Sequence, residues 1–179
     1  MPVIMKNISL ASKEEDQAFK KVVPSLIRKG IDGANLDMFN EVTKKALLNA
    51  VGVEYFKKGI IDQAIKAFTI TGNKQKLAEI GDYYAHVGVF GQAVDVYILA
   101  ENKEKLIATG DKCLREGHIS EAIKAFINAG EREKLSKVGD DCVEKQKTDF
   151  AIEIFAALND VKKLVKLGDL CFKNGELRE

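Results

Sequence analysis

Long apolar runs are missing from this sequence. Its apolar start, Pro2-Val3-Ile4-Met5, is interrupted by Lys6, and no later stretch approaches the roughly 18 apolar residues of a membrane span. Neither membrane insertion nor secretion is expected. An excess of one charge is missing too: 28 basic against 27 acidic residues give a net charge of +1, so there is no global field to attract nucleic acid or anionic lipid. Cysteine is scarce. Cys113, Cys142 and Cys171 make an odd count without a C-x-x-C pair, which argues against a disulfide framework or a zinc site and fits a reducing cytoplasm. The two histidines, His86 and His118, stand outside any recognisable nucleophile pattern, and no strand precedes a glycine-rich loop. The expectation is a cytoplasmic protein that is not an enzyme and carries no cofactor or metal.

What the sequence does have is a period. Gly52, Gly81, Gly110, Gly139 and Gly168 are spaced by 29 residues each, and an aspartate follows the last four. Further columns keep the same spacing: Ala64, Ala93, Ala122 and Ala151; Phe68, Tyr97, Phe126 and Phe155; Leu77, Leu106, Leu135 and Leu164. A fixed period in this range marks a stack of similar supersecondary units.

Punctuation within the period predicts two helices per unit. Asp62, Gly91, Ser120 and Asp149 suit the N-cap of a second helix, which should end near Gly72, Glu101, Gly130 and Asn159 in a left-handed cap. Asn73, Asn102 and Asp160 can then cap the next first helix, a place that Glu131 fills poorly. The third copy's first helix runs from about Lys103 to Glu116, with Leu106, Thr109, Gly110 and Cys113 on one buried stripe. A mid-helix glycine costs about 1 kcal/mol relative to alanine. Close approach of the partner helix, at its backbone or at Ala122, is the expected compensation.

These columns resemble the tetratricopeptide repeats. The third copy presents that family's pattern as Leu106, Thr109-Gly110, Cys113, Gly117, Ala122, Phe126 and Ala129, with Tyr55 and Tyr84 supplying the first-helix aromatic in earlier copies. The likeness covers about Ala50 to Cys171. It departs from the family in a unit about five residues short of 34, a missing proline after the second helix, and leucine in place of the bulky tryptophan. Similar abbreviated repeats occur in subunits of vesicle coats and intraflagellar transport complexes. The resemblance implies an all-α fold, a right-handed α-solenoid of antiparallel helix pairs with about four repeats. It also implies a non-catalytic scaffold that binds protein.

At the N-terminus, Ser12-Lys13-Glu14-Glu15 forms a capping box before Ala18, Phe19, Val22, Val23, Leu26 and Ile27, and Pro24 should kink or split that helix. Residues 1–34 are expected to be a capping segment and 35–179 the repeat domain. A helix from about Asp37 to Lys58 carries Phe39, Val42, Leu47, Leu48, Val51 and Tyr55. Gly175 to Glu179 breaks off where a second helix is due, as a terminal cap or as a point where the natural chain continues.

In the family the matching first-helix face lines a concave groove where lysine and asparagine hold a partner's carboxylate. Here Asp82, Asp111, Asp140 and Asp169 stand at the asparagine positions, so the resemblance implies a basic or amide-rich protein segment instead. Ile107, Leu114, Val143, Val165 and Phe172 would supply apolar contact. Asp82–His86, Asp111–Arg115 and Asp169–Lys173 also have the spacing of ordinary surface pairs along a helix, so solvated or inter-repeat structural acids are the competing reading. Lys76, Lys105, Lys134 and Lys163 precede the aspartates by six positions, about 120° around the helix, and acids and bases should occupy different edges. That lysine column lacks interleaved aromatics, which disfavours nucleic acid and suits a solubilising rim. The alternative to a groove-binding module is a structural subunit of a larger assembly, with self-association through the terminal helices.

Overall fold

In the computed structural model of the chain, the described residues are 22–31 and 36–173. Every regular element among them is a helix: residues 22–29 (α1), Glu41–Lys57 (α2), Ile61–Thr71 (α3), Lys74–His86 (α4), Phe90–Leu99 (α5), Lys103–Glu116 (α6), Ile119–Ala129 (α7), Arg132–Glu144 (α8), Thr148–Leu158 (α9) and Val161–Lys173 (α10). The chain forms two compact units, one ending at Ile80 and the other beginning at Gly81. Neighbouring helices pack in pairs, α2 with α3 in the first unit, and α6 with α7 and α8 with α9 in the second.

Second helices end as the sequence predicts. Gly72, Gly130 and Asn159 adopt left-handed conformations, with φ of 68°, 80° and 55°, and Glu101 has φ 52°. The caps of the following helices hold as well. Asn73, Asn102 and Asp160 side chains accept the backbone N–H of Lys76, Lys105 and Lys163 at 3.1, 3.0 and 3.1 Å, whereas Glu131 makes no side-chain cap.

The second helices start differently from expectation. Asp62, Gly91, Ser120 and Asp149 are not the N-caps; Ile60, Val89, His118 and Lys147 are, and none caps through its side chain. Backbone closes these turns instead. Gly59, Gly88, Gly117 and Gln146 all have positive φ. That conformation directs the next residue's N–H back to the preceding helix: Ile60 to Tyr55 O at 2.9 Å, Val89 to Tyr84 O at 2.9 Å, His118 to Cys113 O at 2.8 Å and Lys147 to Cys142 O at 2.8 Å. Asp62 and Asp149 fall in the first turn, where a carboxylate favours the helix N-terminus.

Two N-terminal expectations also change. α2 begins at Glu41, because the Asn40 side chain accepts the Thr43 N–H at 2.8 Å and starts the helix there. Phe39 therefore lies outside it, and Val42 is exposed instead of facing the core, while Leu47, Leu48, Val51 and Tyr55 are buried. Val23 and Leu26 of α1 are buried, and the Tyr55 hydroxyl donates to the Ile27 carbonyl at 3.4 Å. Pro24 lies within helical residues 22–29. The capping box at Ser12–Glu15, the boundary at residue 34 and the segment Gly175–Glu179 lie outside the described residues.

Four glycines of the column, Gly52, Gly81, Gly110 and Gly139, meet aromatic rings, not backbone or Ala122. A Cβ built on Gly110 would lie 2.8 Å from Phe126 Cε1, and one on Gly81 would lie 2.5 Å from Tyr97 Cε1. On Gly139 it would sit 2.6 Å from Phe155 Cε1, and on Gly52, in the first unit, 2.7 Å from Phe68 Cε1. The correction has a steric reason. The aromatic sixteen residues after each glycine is long enough to cross the helix interface, and only a bare Cα leaves room for its ring edge. Phe68, Tyr97, Phe126 and Phe155 are all essentially fully buried. Burying each such side chain contributes roughly 1.5–3 kcal/mol, enough to offset the helix cost of the glycine beneath it.

Two alanine substitutions should therefore have opposite signs. Gly110→Ala should destabilise by about 1–2 kcal/mol through overpacking against Phe126. Gly168→Ala, where a Cβ meets nothing within 4 Å, should stabilise by up to about 1 kcal/mol. Thermal or urea unfolding of the two variants reads both.

Candidate functional site

On any one first helix the lysine and the aspartate lie on different edges, as expected, yet the two columns meet. Each lysine reaches the aspartate of the preceding first helix, 23 residues earlier. Lys105 Nζ lies 2.8 Å from Asp82. Lys134 Nζ donates to both Asp111 oxygens at 2.8 and 2.6 Å, and Lys163 Nζ to both Asp140 oxygens at 2.6 and 2.7 Å. The i+4 neighbours His86 and Arg115 are not the partners, so separate acidic and basic edges give way to a ladder of inter-repeat rungs. Lys76 shows the rule by exception. Val53 occupies the aspartate position before it, and Lys76 turns to Glu79 at 2.6 Å.

Two of the three rungs set their lysine over the ring that fills the glycine cradle. Lys134 Nζ stands 5.6 Å from the Phe126 ring centroid and Lys163 Nζ 5.0 Å from that of Phe155, within cation–π range. Lys163 also donates to Ser136 Oγ at 2.9 Å. In the rung that has tyrosine, the Tyr97 hydroxyl donates to Asp82 Oδ1 at 2.6 Å. Burial pushes the Tyr97 phenol well above its usual range, and the hydrogen bond to Asp82 adds to this. Partial burial alone would raise the Asp82 carboxyl, but Lys105 and Tyr97 outweigh it and hold the group below the usual carboxylate range.

The residues expected to contact a partner divide into three groups. Asp82, Asp111 and Asp140 are engaged by lysines. Ile107, Leu114 and Val143 are half-buried; Ile107 packs on the core around Tyr97, and Leu114 and Val143 on the core around Phe126 and Phe155. His86, Arg115, Asp169 and Phe172 are exposed, and Asp169 has no ion-pair partner among the described residues. Leu114, Ile119 and Val138 floor a depression of about 320 Å³ rimmed by Lys137, Asp141 and Lys145. Lys76, Lys105, Lys134 and Lys163 suit a solvated rim by composition alone; their constant offset from the aspartates is the sequence signal for the rungs.

Cys113, Cys142 and Cys171 are buried free thiols. Burial, with Glu121 and Glu116 adding, pushes the Cys113 thiol up to about 11, and burial likewise raises Cys142. His118 lies against Phe90 with ring centroids 5.1 Å apart, and His86 is exposed. No helix among the described residues is long and apolar enough to cross a membrane.

Comparison of the chain with protein-family models and with curated proteins gives no match.

Rung and thiol each carry a measurable consequence. In a double-mutant cycle of Asp111→Asn and Lys134→Met, the coupling should be about 0.5–1 kcal/mol, since both groups are partly solvated, and should shrink in about 1 M salt. For Cys113 the folded-state pKa is raised, so its contribution is complete below the unfolded value near 9 and lost as pH climbs toward about 11. Tm should fall across that window, and Cys113→Ala should show a shallower fall whatever its starting Tm.

Proposed function

We propose that the chain is a non-catalytic helical-repeat module, a short right-handed α-solenoid of the tetratricopeptide-like kind, that holds a helix or peptide of a protein partner. The observation that carries this reading is the repetition of one contact set. Within the second unit three rings are seated on glycines and three lysine–aspartate rungs join successive first helices, and the first unit repeats the ring seat at Gly52. Such a stack presents one column many times over, which suits an elongated ligand more than a small substrate. The cytoplasm is the proposed compartment, in keeping with the buried free thiols.

With three of the four aspartates occupied by lysines, selection of a basic or amide-rich ligand by the acids loses its support. Apolar contact takes over the leading role. Leu114 and Val143 occupy one column on successive first helices, with Phe172 next in line, and each is at least partly accessible. We assign the partner contact to this column. Exposed Phe172, Val165 and Val161 on α10 favour a second reading, a structural subunit whose end face meets another component of an assembly.

The test is capture from native extract by the wild-type chain and by Leu114→Glu combined with Val143→Glu. The groove reading expects captured protein to fall about tenfold, with the far-UV spectrum retained. An unchanged set of captured proteins would remove this column from contention.

A further inference from the structure

We infer that the depression over Leu114, Ile119 and Val138 seats an extended acidic segment of a protein partner, with one bulky apolar residue on the floor and a carboxylate two positions to either side. The proposal rests on the groove reading above, because Leu114 belongs to both, and it names the partner's chemistry at that place.

The preceding copy shows how this position is closed from within. There Phe90 is buried, Lys112 Nζ stands 4.9 Å from its ring centroid, and the His118 ring lies against it at 5.1 Å. Twenty-nine residues later Ile119, Asp141 and Lys147 take the places of Phe90, Lys112 and His118. Asp141 has no long stem to lay over the floor, and its carboxylate is held by Lys145 at 2.8 Å. The roof is gone. Ile119 and Leu114 are left half-buried beside a depression of about 320 Å³, and Val138 stands where the earlier copy has Thr109, which makes this floor the more apolar of the two. Small-molecule cavities run from about 300 to 1,000 Å³, so a space at the bottom of that range suits one large side chain.

Charge changes together with shape. Lys137 and Lys145 stand where the preceding copy has Ala108 and Glu116. One lysine and one glutamate on the earlier rim thus become three lysines and one aspartate. Lys145 is engaged by Asp141, whereas Lys137 and Lys147 form no ion pair among the described residues. Cys142 lies in the same lining, and there burial, with Asp141 adding, raises the thiol while the Lys147 and Lys145 ammoniums oppose the rise. Both positive charges are therefore felt at the floor. A wholly apolar ligand would leave the two unpaired ammoniums without a counter-charge, and a basic one would be repelled.

The spacing of the lysines sets the pattern. Lys137 lies in α8 and Lys145 caps its end, about 12 Å further along the axis at roughly 1.5 Å per residue. An extended chain rises about 3.3 Å per residue and turns alternate side chains to one face, so acids two positions before and after the anchor span about 13 Å and face the same way as the anchor.

The test is selection of a phage-displayed library of short random internal segments on the intact chain. Enriched segments should carry Asp or Glu two positions before and two positions after a Leu, Ile, Phe or Trp. A labelled synthetic copy of one, acetylated and amidated so that it offers no terminal carboxylate, should bind saturably by fluorescence anisotropy. Lys137→Glu combined with Lys147→Glu, both at exposed positions, should weaken it about tenfold or more. A peptide with lysines in place of its acids should bind that double variant better than it binds the wild type, and alanine in place of the anchor should cost about tenfold on the wild type. No enrichment, enrichment without the acids, or a selected peptide that binds the double variant as tightly as wild type overturns the proposal. Indifference to the lysine changes together with sensitivity to Leu114→Glu and Val143→Glu sinks this proposal alone; indifference to both pairs sinks the groove reading with it.

Discussion

The second unit depends on a ring edge resting against a bare Cα. Wherever Tyr97, Phe126 or Phe155 crosses to the facing helix, the residue beneath it is glycine, and any side chain there would occupy the ring's own volume. The contact fixes the distance between the helices of a pair and their relative rotation, because the ring fits only over that one position. Other features of the unit follow from it. Ala93, Ala122 and Ala151 can be fully buried because the helices already lie close. A lysine ammonium can sit above Phe126 or Phe155 and still reach an aspartate of the preceding first helix.

The rungs are a different kind of contact. Their atoms are partly solvated and each contributes little to stability, but they are directional. Hydrophobic burial says that two helices should pack; an ammonium shared between an aspartate and the face of a ring says in which register. Tyr97 shows the economy of the arrangement. Its hydroxyl adds a second donor to Asp82, so the ring below and the acid above are joined through one side chain. Arg132, whose guanidinium donates to the Leu158 carbonyl at 2.7 Å, secures the end of α9 in the same directional way.

Much of this was legible in the residues, and the failures are informative. Helix ends at Gly72, Gly130 and Asn159, and starts after Asn102 and Asp160, could be read because cap chemistry is local and each residue type has few alternatives. The starts of α3, α5, α7 and α9 could not. Asp62 and Ser120 are plausible caps by type, yet the left-handed residue just upstream closes the turn with main-chain bonds, a position that Gly59, Gly88 and Gly117 mark in three copies and Gln146 does not in the fourth. Periodicity marks Gly110 as a packing position but not Phe126 as its occupant, since it identifies a face without saying which side chain on the opposite helix is long enough to reach it. Lys134 was set apart from the acids because wheel geometry sees only one helix. Its partner Asp111 lies on another, and only the shared offset between the two columns links them.

The tight turns leave the chain without slack. Gly117 and Gln146 turn one helix into the next with a single left-handed residue followed directly by an uncapped helix start. Adding or removing one residue within a helix such as α7 would rotate the rest of that helix by about 100° about its own axis. The ring would swing off its seat and the ammonium away from its acid in the same stroke. Length is thus policed by geometry in every copy, which gives a mechanical reason for a spacing that never drifts from one glycine to the next.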